Sequence, residues 1–381
     1  GGAMEATDAE AADRSVGGGE AEAPGGDGFA RHGVDAVALS GGVEVKLEAA
    51  PELTPLDALN LANGEGDATG HRVWLGSRLL SAFMDALMHQ GTADNPRFGL
   101  AVGPGKETEP LDFDQLFPGP ALELGCGAGL AGLTLRALRR ERKRPSACYP
   151  DDESGDAVVL TDNNEEILAL AGRNAELNGF ELEEDVWLRR LSWLRTDEEH
   201  RRQDHDKFLE FLEENNRMGG KSTFATVFAA DVCYSLDVLV PLFRTASNLL
   251  LVHDPETPAP QKNFILSLVP RVGVEHHVED RQLALALGKA RAKTNGLGKG
   301  IYSGLALECI LTEIAKLNGF AEPQIVRPEE IPVGFLPKEL REEAIEASAC
   351  IMTFPFSENG GFPNPNPNPN PNPNPNPNPN P

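Results

Sequence analysis

The sequence predicts an α/β fold with a mostly parallel sheet and helices on both of its faces. Three observations lead there. From Ala121 onward, short apolar stretches alternate with stretches of helical period, the pattern of successive βαβ units. A run of glycines stands between the first of those stretches and the helix after it. The next apolar stretch closes on an aspartate, Asp162, at the carboxyl end where an open sheet of this class places its ligand contacts.

Taken in order, residues 1–35 are Gly-rich, acidic and poor in aromatics, and are expected to be disordered. Residues 37–47 alternate like a strand, and 79–88 (LLSAFMDALM) form the first convincing helix, preceded by Trp74. The segment ALELGCGAGL is a short apolar strand ending in glycines, and LAGLTLRALRR continues as an amphipathic helix. Residues 157–162 (AVVLTD) form a second buried strand. A second helix follows, EEILALAGRNAELNGF, with Gly179 as its C-cap. Strands are expected at 186–193, 224–232 and 263–272, and helices at 236–251 and 303–318, the last closed by Gly319. Two polar stretches, 139–156 and 196–222, look inserted, the second with a short helix in KFLEFLEEN. From Pro363 to Pro381 Pro and Asn alternate strictly, a composition that cannot form a packed core. The expected organisation is a disordered 1–35, one domain over 36–356 (an extension at 36–118, then a core at 119–335) and a disordered tail at 357–381.

The 381 residues carry a net charge of −25, with ten acids and three basic residues in 1–50 alone. A surface this acidic repels a phosphate backbone, so no nucleic-acid partner is expected; it suits basic partners, or serves solubility alone. No run of 18 apolar residues occurs, so no membrane span is expected. The N-terminus has no apolar signal region, and the expected location is the cytoplasm, with the nucleus also open. Five cysteines without a C-x-x-C pair fit a reducing compartment and give no zinc framework. His276 and His277 follow an apolar strand with no carboxylate paired to them by spacing, His200, His205 and His253 lie in polar loops or near Pro, and G-x-S-x-G is absent, so neither a metal site nor a hydrolase triad is expected.

The central motif is Glu123-Leu-Gly125-Cys-Gly127-Ala-Gly129. Glycines there make a tight turn and let backbone approach a ligand, and the helix amide end that follows favours an anionic group. A dinucleotide fingerprint needs G-x-G-x-x-G, but the sixth position from Gly125 is Leu130. Asp162 has the position to accept both hydroxyls of a ribose. It is equally a good cap for the helix after it, unless Asn163 or Asn164 takes that role.

This G-x-G-x-G with an acid two residues ahead, followed by the strand-terminal Asp162, closely resembles the first motifs of class I S-adenosylmethionine-dependent methyltransferases. Four further features, between about residues 70 and 328, resemble the family of non-histone protein-lysine methyltransferases (methyltransferase family 16). GHRVWLGSRLL (70–80) has Trp74 where that family keeps a Trp near the cofactor, although Leu75 departs from the acid, Pro or small residue usual after it. LSW (191–193) matches an L-x-W whose Trp193 lies near the adenine, with Ser192 in place of an acid. ADVCY (230–234) matches an acid, two variable residues and Tyr or Phe: Asp231 and Tyr234. Val232 and Cys233 replace the prolines of base-amino methyltransferases. The C-terminal pattern resembles the last strands of that fold, in which the final strand runs antiparallel between two others.

The resemblance implies a Rossmann-like seven-strand sandwich and S-adenosylmethionine held by Trp74, Glu123, Gly125, Gly127, Gly129, Asp162, Asn163, Trp193 and Asp231. It implies Asp231 and Tyr234 as catalytic residues, and a protein substrate with an accessible lysine. Structural readings stand beside these: Trp74 and Trp193 as packing residues, Asp231 as a backbone contact and Tyr234 as structural. A small-molecule or other N-methyltransferase on the same scaffold, a nucleic-acid methyltransferase and a non-catalytic protein that keeps the fold are the competing functions. Loops at 196–222 and 273–302 are expected to recognise the acceptor.

Overall fold

The computed structural model describes residues 33–49, 69–91, 99–101, 108–142, 157–193, 206–208, 210–212, 224–251, 261–270, 280–293 and 304–356. The Asn–Pro tail and most of the acidic N-terminus lie outside them.

The N-terminal strand pattern is a hairpin, β1 (Gly33–Ala38) and β2 (Glu44–Ala49), paired from Gly33↔Ala49 to Ala38↔Glu44. The sequence expectation of one strand over 37–47 is corrected here, because the Ser40-Gly41-Gly42 stretch turns the chain and Gly42 takes φ 93. β1 also opens inside the segment expected to lack structure up to residue 35. After the hairpin come α1 (Leu75–His89), a small two-stranded ribbon of β3 (Gly99–Ala101) and β4 (Thr108–Pro110), and the one-turn α2 (Phe113–Leu116). The alternating part is β5 (Ala121–Leu124), α3 (Leu130–Arg142), β6 (Val158–Asp162), α4 (Glu165–Leu177), β7 (Val186–Arg190), β8 (Thr226–Ala230), α5 (Leu239–Leu251) and β9 (Asn263–Leu268). It closes with α6 (Arg281–Lys293), α7 (Gly304–Leu317), β10 (Gln324–Val326), α8 (Lys338–Glu346) and β11 (Cys350–Pro355).

Seven strands form one sheet in the order β10-β11-β9-β8-β5-β6-β7. The pairs from β9 to β7 are parallel, and β11 runs antiparallel to both β9 and β10. This is the Rossmann-like methyltransferase arrangement, with its last strand inserted between two others. That strand lies at 350–355, beyond the expected core limit of 335, so the core needs the C-terminal segment to complete its sheet.

The central strands β5, β8 and β9 are buried on both faces, and alternate side chains feed two separate cores. Leu122, Leu124, Val227, Ala229, Phe264 and Leu266 pack with α5, α6 and α7. Ala121, Val158, Leu160, Phe228, Ala230 and Ile265 pack with α1, α3 and α4. Four phenylalanines knit the first core: Phe243 of α5 lies edge-on to Phe264 at 5.1 Å, to Phe354 at 5.0 Å and to Phe320 at 5.8 Å. Phe208, Phe211 and Leu212 are buried in the same core, so the inserted stretch contributes packing. The 273–302 stretch, expected as loop, contains α6, whose Leu283, Ala286, Leu287 and Ala290 recur at helical spacing and are buried.

Candidate functional site

The strand order reverses at β5: the chain winds outward through β6 and β7, then returns to β8 on the other side of β5. A crevice opens at the carboxyl ends of the strands at such a reversal. The glycine turn, Asp162, Trp193 and Asp231 stand at or just past those strand ends.

The turn after β5 carries Gly125, Gly127 and Gly129 at φ 70, 54 and 88, in the left-handed region. The Cys126 amide donates to the Thr161 carbonyl (2.8 Å) and the Thr161 hydroxyl to the Glu123 carbonyl (2.6 Å), which ties the turn to β6. At Gly127 a side chain is opposed twice, by its positive φ and by the Gly70 carbonyl oxygen, 3.3 Å from where a Cβ would stand. Gly70 therefore lies directly on the glycine turn.

Asp162 ends β6 and is released from helix capping: the Asn164 side chain caps α4 by accepting from the Glu166 amide (2.9 Å). The two Asp162 oxygens accept from the Gly127 amide (3.2 Å) and the Asn164 amide (3.1 Å). A carboxylate thus sits at the lip of the glycine turn, half-buried. Asn163 beside it is exposed. Glu123 differs from the other nominated residues. It is 1% exposed and accepts from the Gly132 amide of α3 (2.9 Å). Burial pushes its carboxyl up to about 8; the Gly132 bond opposes this and the nearby Asp162 charge adds to it. The structure thus places Glu123 beneath the turn, as a brace between β5 and α3.

Trp193 follows β7 and is 7% exposed, its ring edge 3.7 Å from the Gly125 Cβ position. Trp74 immediately precedes α1, half-buried, with the Arg72 guanidinium 5.1 Å from its ring centroid. Asp231, one residue past β8, has φ 61, uncommon for a residue with a side chain. Its amide donates to the Ser267 carbonyl (3.0 Å), and its Oδ2 accepts from the Gly76 amide in the first turn of α1 (3.1 Å). Trp74 caps that helix with no side-chain bond, so Asp231 supplies the anionic partner the helix end attracts. Tyr234, three residues on, is 57% exposed at the rim.

Sequence reasoning missed Gly70, Gly76 and Val232. A Cβ on Gly76 would stand 3.0 Å from the Asp231 Cβ, and one on Gly125 would stand 2.9 Å from a Val232 methyl. The signal for the first two lay in GHRVWLG itself, where two glycines bracket Trp74 within seven residues. The cysteines of the site, Cys126 and Cys233, are buried, and burial pushes both thiols up, so neither is a thiolate nucleophile.

A glycine turn that admits ligand backbone contacts, a carboxylate at the end of the next strand and a buried indole beside the turn fit a nucleoside bearing an amino-acid tail. These features, on this sheet order, define an S-adenosylmethionine-dependent methyltransferase. The chain belongs to the lysine methyltransferase family, whose model matches residues 54–256. Among solved structures it is similar to an O-methyltransferase from Bacillus cereus in complex with SAH, at 12% identity over 78% of this chain and 87% of that one (TM-score 0.35). It is also similar to an arsenic(III) S-adenosylmethionine methyltransferase from Chlamydomonas reinhardtii, at 14% identity over 74% of each chain (TM-score 0.28). No curated protein matches the sequence.

Proposed function

We propose that this protein transfers a methyl group to the side-chain amine of a lysine on another protein. The observation that carries the proposal is Asp231: a carboxylate one residue beyond the central strand β8, in left-handed backbone, held by the first turn of α1 beside the glycine turn. Family membership supports lysine as the acceptor.

In this reading Gly125, Gly127 and Gly129 would admit the cofactor, Asp162 would take its ribose hydroxyls, and Trp74 and Trp193 would pack beside it. When bound, S-adenosylmethionine supplies a methyl carbon activated by a positive sulfur. The protein must align an amine lone pair with that carbon and exclude water. A lysine ammonium, with a reference value of about 10.4, must first lose a proton. Asp231 orients the ammonium and accepts or relays that proton to solvent. Tyr234, exposed at the rim, forms one wall of the acceptor's entry. The transfer would be a direct displacement by the amine, in which the chain's residues align the acceptor and Asp231 takes its proton.

The test is transfer of tritiated methyl from S-adenosylmethionine in a cell lysate, followed by complete hydrolysis of the labelled protein. Label recovered as N-methyllysine, and lost with Asp231→Asn, is the expected result. Label confined to the small-molecule fraction would replace protein by a metabolite as acceptor. Cofactor binding without any transfer would favour a non-catalytic role.

A further inference from the structure

Away from the crevice, the β1 hairpin, α1 and α8 enclose a groove of about 290 Å³. Its floor is apolar: Val37, Ala82, Phe335 and Leu340. One wall carries Glu339 and Glu343, one turn apart on α8, so their carboxylates share a face. Arg78 lines it as well. The Ser40 hydroxyl donates to the Gly334 carbonyl, which pins the hairpin turn to the loop ahead of α8. Beside that pin Val333 is 84% exposed. Among the described residues β1 pairs only with β2, so its second edge has no strand partner.

Arg78 and Ala82, about one turn apart, lie on the side of α1 turned away from Gly76, whose amide holds Asp231, so the groove and the site occupy different faces of the same helix.

We propose that this groove seats an extended, basic segment of the acceptor protein, as a docking surface separate from the site that takes the lysine. The proposal rests on the function proposed above. Charge selects this occupant. Two carboxylates and one guanidinium line the groove, on a chain of net charge −25, so a lysine-bearing segment with small apolar side chains is complementary. A second copy would bring its own acidic wall against this one. The acidic N-terminal segment would meet like charge, and the Asn–Pro tail offers no charge at all.

The probe is a fluorescein-labelled peptide, Thr-Lys-Val-Lys-Val-Lys-Thr, titrated with the full chain at low salt, with Glu replacing Lys in a second peptide. The double variant E339K/E343K should weaken binding of the basic peptide at least about fivefold. The double variant E342K/E346K makes the same change of net charge on α8, outside the groove lining, and should change it less than about twofold. The acidic peptide should bind at least about tenfold more weakly than the basic one. Equal loss in both variants, loss in neither, or equal binding of the two peptides overturns the proposal. So does a sedimenting dimer that dissociates only in E339K/E343K, which would give the groove to a second copy. Calorimetry with S-adenosylmethionine on the same samples separates the two readings. Cofactor binding and methyl transfer with no groove effect sink the groove alone. Groove binding without transfer in any variant sinks the transferase reading.

Discussion

Replacing Glu123 by glutamine should make stability far less sensitive to pH between about 5 and 8. Glu123 lies 1% exposed beneath the glycine turn, and desolvation pushes its carboxyl from an ordinary 4.5 to about 8. In the unfolded chain the group ionises near its ordinary value; in the folded protein it keeps its proton until about 8. Between those values the folded state binds one proton more than the unfolded state. The group's contribution is therefore complete at low pH and declines as pH rises, levelling once the folded group has ionised. Each pH unit is worth about 1.4 kcal/mol, so the interval amounts to about 3–6 kcal/mol. Glutamine keeps an oxygen for the Gly132 amide and has no proton to lose. Urea midpoints measured at steps from pH 5 to 9 give the difference between variant and wild type at each pH. That difference should move in favour of glutamine by about 1.4 kcal/mol per pH unit, then flatten above about 8. A difference that stays constant across the range would falsify the burial argument, since a solvated or paired carboxylate at 123 contributes no such slope.

Asp231→Asn keeps an acceptor for the Gly76 amide and tolerates left-handed backbone, so its urea stability should stay within about 0.5 kcal/mol of wild type. Asp231→Ala should lose about 1–2 kcal/mol through the lost helix-end partner and the backbone strain. Both should lower methyl transfer at least about a hundredfold; an active Asn variant would remove the carboxylate from the chemistry. Gly127→Arg and Asp162→Ala should each abolish or weaken S-adenosylmethionine binding by about tenfold or more in calorimetry, and a folded variant that binds normally would move the cofactor elsewhere. Phe243→Ala opens the aromatic core and should cost about 3–5 kcal/mol by urea denaturation. A loss under about 1 kcal/mol would show that the four rings repack around the gap.

The glycine turn, Asp162 and the β8-terminal Asp231 were legible because each sits at a strand end, where a local apolar run marks the position. The helices were legible by their period and by Gly179 and Gly319, which take φ 68 and 86 after the helices they close. The hairpin was misread as one strand because alternation continues through Val43 on the far side of its turn. α6 was hidden because Ala, Gly and Lys dilute its apolar spacing. Glu123 was nominated beside the glycines by sequence proximity, and no local pattern tells a carboxylate above a turn from one buried beneath it.

The sequence by itself determined the fold class, the cofactor turn and its acidic partner, because those follow from short-range rules: period, turn chemistry and the order of strands and helices. Only the tertiary structure decided which helix end Asp231 holds, that Gly70 lies on the glycine turn, and that β11 completes the sheet between β9 and β10. These join residues 155 positions apart in the first case and about 57 in the second (Gly70 to Gly127). Contacts at such separations arise from packing two cores on one sheet, and no local propensity encodes them.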